Sequence, residues 1–152
     1  MAVLIYVEAA RRKEMRERAV YSELMRPGKG VCTYVKLTTA KSAADAARAK
    51  FCMAACVLEK LLVTDGGVDP GTRVVIYSND ELFMNMATER PTERDAAVER
   101  VYEAARKLNV QVSFEQHSLM GVSVKANAYT YLGKHGTPWK RRDENQCKTT
   151  LK

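Results

Sequence analysis

Several acidic, imidazole and thiol side chains in this sequence sit where chemistry is usually placed. Glu8 closes residues 3–7 (VLIYV), an apolar, β-rich run of the kind that forms a strand buried on both faces. Its carboxylate can ligate a cation, or pair with Arg11 or Arg12 at the sheet edge. Asp80 and Glu81 follow a second such run, RVVIY at 73–77. The carboxyl end of a strand is where open α/β sheets hold their ligands, and acidic side chains are equally favoured in the first turn of a helix by its dipole. His117 follows a third run, VQVSF at 110–114. It can shuttle a proton where a metal sets the task, or stand as a plain surface histidine. The four cysteines (Cys32, Cys52, Cys56, Cys147) include no CxxC pair. Cys52 and Cys56, four apart on an expected helix, read as small buried hydrophobes, and a reducing, cytoplasmic setting fits them.

The formal net charge of +7 is unevenly spread. Residues 9–50 carry eleven Lys/Arg against four Asp/Glu, and residues 133–152 carry six against two. Arg11, Arg12, Lys13, Arg16 and Arg18 form the densest basic strip, diluted by Glu14 and Glu17. In the tail, Trp139 stands beside Lys140, Arg141 and Arg142, an aromatic among cations that can stack on a base while neutralising phosphate. A phosphate-binding face and a merely solvated surface both fit this distribution.

The elements that must position these groups follow from periodicity. The runs at 19–25 and 31–37 alternate and flank Pro27-Gly28-Lys29-Gly30, which predicts a hairpin after the first strand. Ser42 with Asp45 resembles a capping box. The Ala-rich stretch after it, with Phe51, Ala54, Ala55, Leu58 and Leu62 on one stripe, predicts a helix to about residue 63. A strand at 73–77 follows, then a short helix capped by Ser78 or Asn79. A further helix starts at Thr92 with Asp95 three residues on, and carries Val98, Val101, Tyr102, Ala105 and Leu108 on one face. A strand at 110–114 and a helix around 122–132 complete the order. It implies an α/β domain over 1–133, with three antiparallel strands, two parallel strands and helices on both faces of a five-stranded mixed sheet. Residues 134–152 form a basic, flexible tail.

Segments in this order resemble the ribonuclease H family over about residues 3–132. VLIYVEAA resembles the family's first strand, whose catalytic Asp corresponds to Glu8. AKFCMAACVLEKLL resembles its first helix, and the triplet Met53-Ala54-Ala55 sets a register that puts the family's catalytic Glu on Phe51. VVIYSNDELF resembles the fourth strand, with the family's Asp on Ser78 or Asn79 and Asp80 immediately after. VSFEQHS resembles the fifth strand and its histidine loop, here His117, and KANAYTYL resembles the last helix, whose final metal ligand corresponds to Asn127. Such enzymes hydrolyse the RNA of RNA–DNA hybrids with two metal ions, which need several carboxylate oxygens. Glu8, Asp80 and the neutral Asn127 fall short of that set.

The resemblance therefore implies a domain with a degenerate active site that binds nucleic acid (an RNA–DNA hybrid or duplex) or a protein partner, and no cofactor is expected. The alternative is a divergent Mg- or Mn-dependent nuclease with Glu8, Asp80 and His117 as catalytic groups and Glu8, Asp80 and Asn127 as metal ligands. Arg11, Arg12, Lys13, Arg16, Trp139, Lys140, Arg141 and Arg142 are the expected nucleic-acid contacts. No run of about 18 apolar residues predicts a membrane span, and self-association through an edge strand is a further option.

Overall fold

A computed structural model describes residues 2–63, 68–116 and 118–139. Five strands form one sheet in the order β3-β2-β1-β4-β5: β1 (Val3–Arg11), β2 (Arg18–Met25), β3 (Cys32–Thr38), β4 (Arg73–Tyr77) and β5 (Gln111–Glu115). β1 pairs antiparallel with β2, and β2 with β3, while β4 runs parallel to both β1 and β5. Helices α1 (Ala43–Leu62), α2 (Glu81–Ala87), α3 (Ala96–Leu108) and α4 (Ser118–His135) cover the sheet. The three-antiparallel, two-parallel architecture expected from the order of elements is what forms. No helix among the described residues is long and apolar enough to cross a membrane.

The two faces of the sheet are covered unequally. Alternate residues of β1 (Val3, Ile5, Val7) and β2 (Val20, Leu24) join Phe51 and Leu58 of α1, Val98 and Val101 of α3, and Phe83 of α2 in the main core. There Phe51 stacks on Phe83 with centroids 4.0 Å apart, and Phe114 meets both rings edge-on at 5.7 and 5.8 Å. Offset and edge-to-face aromatic contacts add to area burial and fix orientation. On the other face Ala10 and Ala19 are packed under Ala128 and Leu132 of α4 in a smaller cluster. Small residues on both sides let this helix lie close to β1 and β2.

Local differences from the expected elements have identifiable causes. β1 continues past residue 7 to Arg11 because β2 extends to Arg18 and supplies its ladder partners, so Glu8 lies within the strand rather than at its end. Ser42 caps α1 as expected: its hydroxyl accepts the Asp45 N–H, while Asp45 accepts the Lys41 N–H. α2 is capped by Asp80 instead of Ser78 or Asn79, since both earlier residues are drawn into contact with Glu8. Thr92 falls in a separate 3-10 turn (Pro91–Glu93), and Asp95 itself caps α3 by accepting the Ala97 N–H. The position α3 needs at its end is left-handed, and Asn109 occupies it at φ 59°, a conformation its short polar side chain tolerates. Along α1, Leu61 takes the buried place expected of Leu62, which is 42% exposed.

The boundary expected at residue 133 falls inside α4, and the next residues are tied to the β1–β2 turn. Arg16 N–H donates to the Thr137 carbonyl at 2.9 Å, Trp139 N–H to that of Glu14 at 2.7 Å, and Thr137 N–H to the Glu17 carboxylate at 2.8 Å. Met15 and Pro138 form an antiparallel bridge. Backbone hydrogen bonding thus carries the folded domain through Trp139.

Phe51→Ala is expected to cost about 3–5 kcal/mol, through lost transfer energy and the cavity left between Phe83 and Phe114. Leu62→Ala is expected to stay within about 1 kcal/mol. Urea denaturation midpoints of the two variants check the contrast.

Candidate functional site

The last rung of the β1–β4 ladder joins Tyr6 to Tyr77, whose rings stack with centroids 4.8 Å apart. Beyond it β4 ends and β1 continues, which opens the carboxyl end of the sheet beside Glu8. Glu8 fills this opening although it is only 3% exposed. One carboxylate oxygen, Oε1, accepts the Ser78 hydroxyl at 2.9 Å, and Oε2 accepts the Asn79 backbone N–H at 2.9 Å.

A lysine completes the arrangement. Lys50, 4% exposed, reaches across from α1 and donates to the Ser78 hydroxyl oxygen at 3.0 Å. Its ammonium lies 2.7 Å from Asp80 Oδ2 and 3.6 Å from Glu8 Oε1. The stem passes the Phe83 ring, with Nζ 5.5 Å from its centroid. Asp80 Oδ1 accepts the Leu82 N–H at 3.0 Å, so the residue caps α2 with one oxygen and holds Lys50 with the other. Burial works to raise the Asp80 pKa. The hydrogen bond and charge of Lys50, with the N–H groups of Phe83 and Leu82, outweigh burial and hold the carboxyl below its ordinary value.

α4 crosses over this network at Gly121. A Cβ there would stand 2.9 Å from Glu8 Oε2 and 3.5 Å from Asn79 Cβ. The helix can approach Glu8 this closely only because position 121 has no side chain.

The expected site residues are only partly brought together. Glu8 and Asp80 share Lys50, and Ser78 and Asn79 hold Glu8. Glu8 does not pair with Arg11 or Arg12. Glu81 is exposed in the first turn of α2. Asn127 does not join the site: it lies exposed on α4, its amide 3.5 Å from Glu23 Oε2. Six residues along a helix separate it from Gly121, or about 9 Å. Phe51 does not face the site either. It belongs to the core, and its neighbour Lys50, turned about 100° around the helix, is the α1 residue that meets the carboxylates. His117, Lys140, Arg141 and Arg142 lie outside the described residues.

Lys50 was not among the expected residues, yet its sequence position carries a signal. It stands four residues from both Ala46 and Ala54, on the inward face of an Ala-rich helix, where an exposed lysine does not belong.

These groups do not fit a pair of divalent ions. An ammonium fixed by three oxygens occupies the space between the two carboxylates, and it can neither act as a Lewis acid nor generate hydroxide. Among the described residues no group of three or more His, Cys, Asp or Glu is placed to hold a metal. A larger concavity of about 700 Å³ lies at the opposite end of the sheet, lined by residues such as Arg26, Lys29 and Arg73, away from this network.

Basic side chains gather at the β1–β2 turn. Arg11 and Arg18 are direct partners in the β1–β2 ladder. Burial and the like charge of Arg11 hold the Arg18 pKa below its ordinary value, against the pull of Asp45. The Arg16 guanidinium lies 4.9 Å from the Trp139 ring centroid. Arg12 lies 5.8 Å from that of Tyr129 and donates to the Tyr129 carbonyl. Lys13 is exposed beside them.

No family model and no curated protein matches the sequence. Solved structures do match. Ribonuclease H1 of Halobacterium salinarum is 15% identical, with a TM-score of 0.54 over 84% of this chain and 94% of that one. The LC11 ribonuclease H1, solved in complex with an RNA/DNA hybrid, is 13% identical, with a TM-score of 0.58 over 84% and 91% of the two chains. The N-terminal ribonuclease H domain of a Mycobacterium tuberculosis protein is 8% identical, with a TM-score of 0.59 over 84% and 95%. The fold is therefore ribonuclease H-like, as the order of its segments implied.

Replacing Lys50 by Met is expected to cost about 3–5 kcal/mol at pH 7, because it leaves two carboxylates near one another without their cation. The pH dependence should differ between pH 7 and pH 5, flat from Asp80 in the wild type and rising toward acid in the variant. In the wild type, the depressed Asp80 pKa contributes stability that is full above the unfolded value of about 3.9 and is lost as pH falls through the folded pKa. In Lys50→Met, protonation relieves the repulsion, so stability climbs from pH 7 to pH 5. Denaturation midpoints across this range test it, and parallel slopes would contradict it.

Proposed function

We propose that this chain is a ribonuclease H-like module that binds nucleic acid, as a duplex or RNA–DNA hybrid, without metal-dependent cleavage. The observation that carries the loss of cleavage is the Lys50 ammonium between Glu8 and Asp80. It supplies one tethered hydrogen-bond donor where hydrolysis by two metals needs exchangeable, Lewis-acidic ions. His117, a proton shuttle only in the nuclease alternative, then has no metal-bound water to serve.

Nucleic-acid binding rests on the β1–β2 turn. Two arginines paired directly across a ladder repel one another, and a phosphate between them relieves that repulsion. Arg12, Lys13 and Arg16 extend the positive surface, and Trp139, 47% exposed, adds an aromatic ring with Arg16 over it. Lys140, Arg141 and Arg142 follow it directly in sequence and add charge of the same sign. That a ribonuclease H1 of this fold has been solved with an RNA/DNA hybrid supports the same class of ligand.

Trp139 is the one tryptophan in the chain, so its fluorescence reports binding at the proposed surface. Titration with a hybrid duplex at low salt is expected to change the emission. The logarithm of the binding constant should fall with log salt by about 0.9 per phosphate contacted. Arg11→Ala combined with Arg18→Ala should make that slope about two units shallower. Mg²⁺ or Mn²⁺ should produce no cleavage that Glu8→Gln removes. Cleavage abolished by Glu8→Gln would restore the nuclease reading, and no binding to any duplex at low salt would leave the fold as a protein-docking module.

A further inference from the structure

A second cluster of reactive side chains lies between α1, β2, β3 and α3, away from the carboxylate site. Cys52 and Cys56, one turn apart on α1, both line a cavity of about 180 Å³. Both are partly exposed rather than sealed in the core, which departs from the expectation of buried small hydrophobes. Val20, Ala49 and Met53 form an apolar part of the lining, and Lys36, Thr38 and Arg100 form its polar part.

The environment of Cys56 differs from that of an inert thiol. Arg100 Nη2 lies 3.2 Å from Cys56 Sγ. The guanidinium is fixed there by Glu59, whose Oε1 lies 2.6 Å from the same nitrogen and whose Oε2 lies 3.4 Å from Nε. The deprotonated sulfur is the nucleophile, and cations beside a partly exposed cysteine mark the reactive ones. Lys36 adds a second cation to the lining, so the cavity favours an anionic reagent. Its volume is below the roughly 300–1,000 Å³ of pockets that enclose a drug-sized ligand. It therefore accommodates one arm of a small molecule attached to sulfur.

We propose that Cys56 is a modification site that takes a small anionic disulfide of the glutathione class. Cys56 first gives its proton to solvent. The sulfur lone pair then attacks one sulfur of the disulfide, and a Cys56–S bond forms as the reagent's own S–S bond breaks. The other half leaves as a thiolate and takes up a proton. The incoming disulfide is the oxidant, so no further electron acceptor is needed. Arg100 orients the sulfur, and Lys36 with Arg100 pairs the carboxylates of the retained arm.

The folded chain would be incubated with oxidised glutathione, or with cystamine as a dicationic disulfide, then acid-quenched and mapped by peptide mass spectrometry. Cys32, also partly exposed, serves as the internal reference. Oxidised glutathione is expected to modify Cys56 about tenfold faster than Cys32, with cystamine showing no such preference. Arg100→Met should bring the Cys56 rate down to that of Cys32. Glu59→Gln, which keeps the guanidinium and removes its competing carboxylate, should not slow Cys56, and this separates activation from loss of packing between α1 and α3. Cys56 reacting no faster than Cys32, an unchanged ratio in a folded Arg100→Met, or equal preference for cystamine would overturn the proposal.

Discussion

Glu8 in β1 and Asp80 just after β4 share one cation, and their coexistence depends on the Lys50 ammonium between them. Lys50 and Glu8 are almost fully desolvated, so neither charge is tolerable without the other. The arrangement satisfies the lysine through Asp80, Ser78 and Glu8, and it satisfies Glu8 through Ser78 and Asn79. Several features of the fold are consequences. Ser78 and Asn79 turn toward Glu8, which moves the cap of α2 to Asp80. A side chain at position 121 would displace the Glu8 carboxylate or α4.

A buried ion pair of this kind is weak evidence for stability, since desolvation offsets much of the attraction. Its stronger effect is on chemistry. Divalent ions bind, exchange and polarise what they touch, whereas an ammonium tethered to α1 remains fixed as one donor of hydrogen bonds. Within this ribonuclease H-like sheet the carboxylates and the lysine form an internal structural joint. The surface that faces solvent, at the β1–β2 hairpin and the segment ending in Trp139, is built independently of that joint.

The fold was legible because strand and helix signals are local. Five apolar or alternating runs, a Pro/Gly turn and an Ala-rich stripe each announce one element, and right-handed crossovers leave few ways to join them. The site was less legible because it depends on rotations about helix axes. A one-residue difference in α1 exchanges Phe51, a core side chain, for Lys50, the cation that defines the pocket. Along α4 the same difficulty placed the relevant residue at Asn127, when Gly121 is a position that faces Glu8. Glycine leaves no side chain for a motif to mark, and a lysine within a helix reads as surface unless the alanines four residues away on either side are weighed. Residues 136–139 read as tail from composition alone, since backbone pairing with residues 14–17 leaves no trace in sequence.

The direct measurement is thermal unfolding under Mn²⁺ titration, comparing the wild type with Lys50→Glu. Binding to the folded state alone raises stability with metal concentration, by about 2.7 kcal/mol at one hundred times the dissociation constant. If Lys50 fills the cation position, the wild-type Tm is unchanged by Mn²⁺, and Lys50→Glu, with three carboxylates converging, gains a saturable rise in Tm. A saturable rise in the wild type that Glu8→Gln abolishes would contradict the account.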